Sequence, residues 1–380
     1  MVATGLCVLE VNLATMCELG GGGVSIVSMA DRTLGVGGVR FAWASYVFIH
    51  YALLVAYVAK VGELAVDLIP AFPGGAPAAS IEYVAALGGF LFLAESDAIE
   101  RFNNALVVIV LALFFPLLAL AGSAADPRNL IDRGDWTAVP DTIPVIALAF
   151  VFHNVIPVVS SSLEGDKSKI RVAIIAGTFI PFAMFALWDA AVLGSVGVDD
   201  VEAALRQGVK APDPLATLQA SSDAAKALVS GFSFFAVSTS FLGFVLGLTD
   251  FLADGMKTTS KGDAKPWAVA LLPPTAFALA YPDIFLSALD KAGTFGVLTL
   301  FGCMPPLMAW RNREMQRRES PPEECELRGD AFACVVTSDV LDPIVPGGIV
   351  ALGALGTLAL AVVVNETVGD ATGYLAARDF

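Results

Sequence analysis

"FVFHNVIPVVSSSLEGDKSKIR", residues 150–171, sets His153, Asn154 and Pro157 inside a stretch that is otherwise apolar before it turns charged. An interior proline removes a backbone donor and clashes with the preceding turn, so Pro157 predicts a helix unwound or kinked around His153 and Asn154. In lipid, irregular backbone is tolerated only where it faces protein or a watery cavity. The plainer alternative is a kinked helix whose histidine bonds a neighbouring carbonyl. Which reading applies depends on whether this stretch lies in a membrane.

Composition answers that. The 380 residues are 56% hydrophobic and only 16% charged, with a mean hydropathy of +0.74, more apolar surface than a soluble core absorbs. A hydrocarbon layer about 30 Å thick asks for about 20 apolar residues per helix. Such runs fall near 2–18, 41–62, 81–95, 104–122, 143–163, 170–197, 225–252, 266–282, 290–310 and 345–365. They are continuously apolar rather than alternating, which predicts an all-α polytopic bundle and not a barrel. The third run is short, and the ninth begins loosely around Asp290 and Lys291.

Charge sets the orientation. With Met1 on the outer side, fourteen of the 22 lysines and arginines fall in inner loops, among them Arg32, Lys167, Lys169, Arg311, Arg313, Arg317 and Arg318. That agrees with the positive-inside rule. The net charge of −15 argues against a nucleic-acid partner. Cys325 and Cys334 lie in an inner loop where thiols stay reduced, and no cysteine spacing matches a zinc site. The polar segments 19–40, 123–142, 198–224 and 311–344 are too short for a separate soluble domain. Gly20 to Gly23 lack the lysine and strand of a phosphate loop and read as a flexible turn before a short interfacial helix. "MAWRNREMQRRESPPEECELRGD" reads as an inner basic anchor followed by a mobile loop.

Polar residues at membrane depth are the candidates for function. Tyr46, His50 and Tyr57 lie close to one helical face, and that stripe lines a pathway or bonds across helices. Glu10 and Asn12 in the first run need partners, and a partner for a buried carboxylate can be purely structural. Asp189, beside Trp188, reads as interfacial. Ser238, Thr239 and Ser240 sit at mid-depth of the run 225–252, where hydroxyls bind a cation or bond their own helix.

Four stretches together resemble the aromatic amino acid permease family, the bacterial tyrosine and tryptophan permeases and their plant and algal relatives. They are "FVFHNVIPVVSSSLEGDKSKIRVAIIAGTFIPFAMFALWDAAVLGSV" (150–196), "LCVLEVNLATMCELGGGG" (6–23), "FSFFAVSTSFLGFVLGLTDFLADG" (232–255) and "YPDIFLSALDKAGTFGVLTLFGCMPPLMAW" (281–310). The resemblance covers nearly the whole chain and is most specific between Phe152 and Gly194. It implies a transporter fold of two five-helix inverted repeats plus an eleventh helix, with substrate between broken first and sixth helices. On that map residues 1–122 are a partial first repeat, 143–310 the second and 345–365 the extra C-terminal helix. The first run matches helix two, and the expectation is that about ten helices are present and the first is missing.

The implied function is secondary active transport of an amino acid, tyrosine or tryptophan, by alternating access. Helix-end amides would hold the substrate carboxylate and unwound carbonyls its ammonium. Phe150, Val151, Phe152, His153 and Asn154 are then the substrate-binding segment, with Tyr46 and His50 as further lining. His153 titrates near neutral pH and needs no added residue to carry a coupling proton. Ser238, Thr239 and Ser240 are the counterpart for sodium, which two hydroxyls on helix eight bind in sodium-coupled relatives of this fold. No cofactor beyond H⁺ or Na⁺ is expected, and no metal. Two histidines on separate runs offer no enzyme machinery. A non-transporting sensor or scaffold of transporter descent, or a sodium-coupled transporter, is the alternative. The partners are a small amino acid and the bilayer. The protein is integral and multi-pass, in a plasma membrane or plastid envelope, with its oligomeric state unread.

Overall fold

The computed structural model describes residues 1–19, 24–131, 136, 139–197, 203–204, 206, 214–259, 262–319 and 343–378. Gly20 to Gly23, Cys325, Cys334 and the loop expected after the basic anchor lie outside the described residues. All ten apolar runs fall on helices: α1 (Val2–Leu19), α2 (Ile26–Leu68), α3 (Gly75–Leu93), α4 (Ser96–Ser123), α5 (Val139–Ala149), α6 (Ile156–Ser162), α7 (Lys167–Gly194), α8 (Asp223–Met256), α9 (Ala264–Ala280), α10 (Phe285–Lys291), a wider π-helical segment (Ala292–Cys303), α11 (Met304–Glu319) and α12 (Gly348–Arg378). Among the described residues, eight spans are long and apolar enough to cross a membrane. α1 and α9, with 18 and 17 residues, account for the other two runs. The protein is an integral, multi-pass helical membrane protein.

Local chemistry marks the ends. Ser222 accepts from the Ala225 amide at the start of α8, and Asp263 from the Lys265 amide at the start of α9, each meeting an orphan donor of a first turn. Asp166 accepts from the amides of Ser168 and Lys169 at the start of α7. Those bonds and the Lys169 ammonium hold its carboxyl below the usual carboxylate range. α2 breaks at Gly35, whose φ is +65°. The turn before it is the short helix expected after the glycine run.

The chain forms two compact units. The first holds residues 1–49, 138–180 and 290–380. In it α1 packs on α11 and α6, the π-helical segment packs on α5 and α12, and α11 packs on α12. α1 is buried on every side from Cys7 to Thr15, as befits an inner helix. Gly293 permits the closest approach: a Cβ there would stand 2.3 Å from the Pro144 carbonyl oxygen of α5. The π-helical segment therefore sits backbone to backbone against the first half of the interrupted span.

The second unit holds residues 50–137 and 181–289, with α8 packed on α4, α9 and α3. Leu117, Ala121, Ala191, Val192 and Val229 form a buried cluster edged by Trp188 and Phe232. Tyr51 donates to the Val269 carbonyl at 2.7 Å, tying α2 to α9.

Candidate functional site

The interruption expected around His153 is present. α5 ends at Ala149, residues 150–152 belong to no helix, and His153–Val155 form one 3₁₀ turn before α6. Pro157 lies in the first turn of α6, where its missing N–H is no loss and its fixed φ suits the helix. The proline thus starts a second half-helix rather than bending one helix. At the end of α5 the Ile146 and Leu148 carbonyls keep amide partners, from Phe150 and Val151 at 3.2 Å each, and the Phe152 carbonyl accepts from the Val155 amide at 2.9 Å.

Within this break the imidazole of His153 is 1% exposed. Phe152 covers one face at 5.0 Å between centroids, and Phe301 of the π-helical segment covers the other at 4.9 Å. Only the ring edge can meet a polar group. Nε2 lies 3.0 Å from Thr4 Oγ1 on α1, while Nδ1 is buried with no hydrogen-bond partner. Asn154 is exposed, and Phe150 and Val151 are half-buried. A 270 Å³ cavity opens beside the break, lined by Phe152, Val155, Ile156, Val159, Ile174 and Thr178 among others. Its volume lies near the lower end of ligand pockets, about 300 Å³. Its one lining hydroxyl, Thr178, is committed to the Ile174 carbonyl at 2.8 Å.

Tyr46, half-buried, belongs to the first unit's part of α2. His50 and Tyr57 belong to the second unit, where both meet Phe244 of α8, at 5.0 and 5.9 Å. The Tyr57 hydroxyl lies within hydrogen-bonding reach of Ser240. The stripe and the hydroxyl cluster, singled out separately in the sequence, therefore meet in that unit. Ser238 donates to the Phe234 carbonyl, and Thr239 and Ser240 donate to that of Ala236. All three hydroxyl protons are spent on their own helix.

Glu10 has the partner its position demanded. Arg313 grips both carboxylate oxygens, Nε to Oε1 at 2.6 Å and Nη2 to Oε2 at 2.8 Å. The Ile344 amide donates to the same Oε2 at 2.9 Å, and Arg313 Nη2 also reaches the Val345 carbonyl at 3.0 Å. Arg313 is thus buried, not part of a solvated basic anchor. Nearby, Arg32 pairs with Glu18 and donates to Asn312. Sequence reading missed Thr4, Phe301 and Arg313 as partners, because the contacts to Thr4 and Arg313 span 149 and 303 residues and no local pattern announces them.

A bundle of apolar helices with one span split at mid-depth, and a histidine in the split, defines a polytopic membrane protein of the transporter kind. The chain matches the tryptophan/tyrosine permease family over residues 1–329, and it belongs to that family. It is 30% identical over 354 residues to the tyrosine-specific transport system 2 of Haemophilus influenzae, covering 88% of this chain and 82% of the relative. It is 27% identical over 335 residues to the tryptophan-specific transport protein of the same organism, covering 83% and 78%. A more distant similarity, 23% over 300 residues, covering 77% and 74%, is to glutamine transporter 2 of Aliivibrio fischeri.

Proposed function

We propose that this chain carries an aromatic amino acid, tyrosine or tryptophan, across its membrane by alternating access, coupled to protons. The observation that carries the reading is the split span at 150–155, with an apolar cavity walled by Phe152 beside it. Relatives named for tyrosine and tryptophan support the aromatic assignment. A similar protein is named for glutamine, and the choice of an aromatic side chain is assigned to this apolar wall. Residues 150–154 are assigned to hold the substrate's charged groups at the facing ends of the two half-helices, as split helices do in other secondary transporters. The two repeats are assigned to 1–122 and 143–310, with 345–365 as the added helix.

Protons are preferred to sodium because His153 keeps an unused ring nitrogen inside the break itself. Ser238, Thr239 and Ser240 give their protons to their own helix and keep oxygen lone pairs, so they remain the counterpart for the sodium alternative. The test is uptake of labelled tyrosine and tryptophan into proteoliposomes under imposed pH or sodium gradients. His153→Gln is expected to flatten the pH dependence, and Thr239→Ala with Ser240→Ala to leave the driving ion unchanged. Uptake that requires sodium at constant pH and potential, and is lost in the double hydroxyl variant, would reverse the assignment.

A further inference from the structure

Buried polar groups are satisfied in native proteins, and each exception calls for a reason. The unpartnered Nδ1 of His153 is such an exception, and hydrogen-bond accounting at Thr4 narrows its meaning. Thr4 Oγ1 lies 2.9 Å from the Met1 carbonyl and 3.0 Å from His153 Nε2. A hydroxyl has one proton to give and lone pairs to receive with. If Thr4 gives its proton to Met1, it receives the Nε2 proton of His153, both contacts are hydrogen bonds, and Nδ1 is left as a bare acceptor. If Thr4 instead gives its proton to Nε2, the bond to Met1 is lost. The ring proton then sits on Nδ1 as a buried donor with nowhere to go. The first arrangement makes one more hydrogen bond, and an orphaned N–H is the rarer defect in folded proteins.

We propose that Thr4 is a positioning residue, which fixes His153 as its Nε2–H tautomer and so presents Nδ1 as the vacant acceptor for the coupling proton. The inference rests on the proton-coupled reading above and names the atom and the residue that serve it. The proton adds to the Nδ1 lone pair, forming an N–H bond and an imidazolium whose Nε2–H stays on Thr4. On the opposite half of the cycle the same bond breaks and the neutral tautomer returns. The two phenylalanine faces leave the imidazole no other polar contact and oppose a ring flip.

The charged and ionisable groups on the elements packed against the break are few. On α1 they are the Cys7 and Cys17 thiols, Glu10, which Arg313 already engages, and Glu18, which pairs with Arg32, with the amino group of Met1 just before the helix. The π-helical segment contributes Cys303 at its far end. On α7, Lys167, Lys169 and Arg171 lie in the first turns and Asp189 near the other end, and α5 contributes Asp141 in its first turn.

With two histidines in the chain, nitrogen NMR of ¹⁵N-histidine protein in lipid discs reads the tautomer directly, and loss of signals in His153→Gln assigns them. The expected spectrum has a protonated Nε2 and a bare Nδ1 at neutral pH, with the bare signal converting to imidazolium on acidification. Thr4→Ser should preserve the spectrum and the pH profile of uptake. Thr4→Val should mix the tautomers and displace the pH midpoint of uptake. A proton found on Nδ1 in the parent protein overturns the proposal, as does a Thr4→Val variant with unchanged tautomer and pH profile. The predicted tautomer accompanied by uptake indifferent to pH would overturn the proton-coupling role while leaving the tautomer assignment standing, so the two failures are separable.

Discussion

Glu10 and His153 are both buried, both belong to apolar stretches of the same unit, and both were conspicuous in the sequence. They differ in how much of their bonding capacity is used. The Glu10 carboxylate receives two hydrogens from Arg313 and one from the Ile344 amide. The His153 ring uses one nitrogen on Thr4 and leaves the other bare. Both carboxylate oxygens of Glu10 are engaged, and removing either member of the pair would strand a buried charge, which is expensive. The half-satisfied imidazole keeps a lone pair on Nδ1 that no hydrogen bond uses. The pair therefore sets a structural contact beside a proposed functional one: Glu10 joins α1 to α11 and to the chain at 344–345, and His153 is the residue to which the proposal assigns coupling.

The largest expected effect would break that comparison from the Glu10 side. Arg313→Gln or Glu10→Gln should destabilise the protein by about 3–5 kcal/mol, the cost of leaving one buried charge unpaired. Replacing both with Met should recover most of the loss, since apolar pairs of similar volume often substitute for buried ion pairs. Thermal unfolding in detergent would read both. Equal stability in the single variants would mean that Glu10 is not the structural partner described.

An intermediate effect tests the packing of the break. A Cβ on Gly5 would stand 2.7 Å from the Phe152 ring. Gly5→Leu should push that ring off His153 and weaken tyrosine binding more than it lowers the unfolding temperature. A loss confined to stability would show that Phe152 has no part in binding.

His153→Gln sharpens the comparison from the other side. It forfeits one buried hydrogen bond, about 1 kcal/mol, so unfolding should move far less than in the Glu10 variants while the pH profile of uptake flattens. A collapse in stability equal to that of Glu10→Gln would make His153 a structural residue too.

Much of this was legible in the sequence, for physical reasons that particular residues show. Ten apolar runs became helices because a bilayer enforces length and apolarity at once. The break was legible from His153, Asn154 and Pro157 together, although proline begins the second half-helix rather than bending a continuous one. Arg313 was hidden among Arg311, Arg317 and Arg318, and only packing against α1 distinguishes it from a solvated neighbour. The π-helical segment was equally hidden: an apolar run with glycines at 293, 296 and 302 has no polar face to reveal its period. The hydroxyls of Ser238, Thr239 and Ser240 were visible, but where their protons go depends on the geometry of α8.

The smallest predicted effect lies at the start of α7. The carboxyl of Asp166 is held below its usual range chiefly by the Lys169 amide. Its stabilising contribution is therefore fully present above the ordinary Asp value of about 3.9 and is lost as pH falls through the lower folded value. Asp166→Ala should lower the unfolding temperature slightly near neutral pH, and the gap from the parent should close under strong acid. A gap that widens on acidification would have the wrong sign.

The claim on which the rest depends is that substrate is held at the break. Backbone hydrogen exchange, followed by mass spectrometry with and without saturating tyrosine or tryptophan, compares the two regions in one experiment. Peptides covering 150–155 should exchange more slowly with substrate, and those covering Val8–Leu13 should not change. Protection that appears elsewhere while 150–155 exchanges at the same rate in both samples would contradict the account.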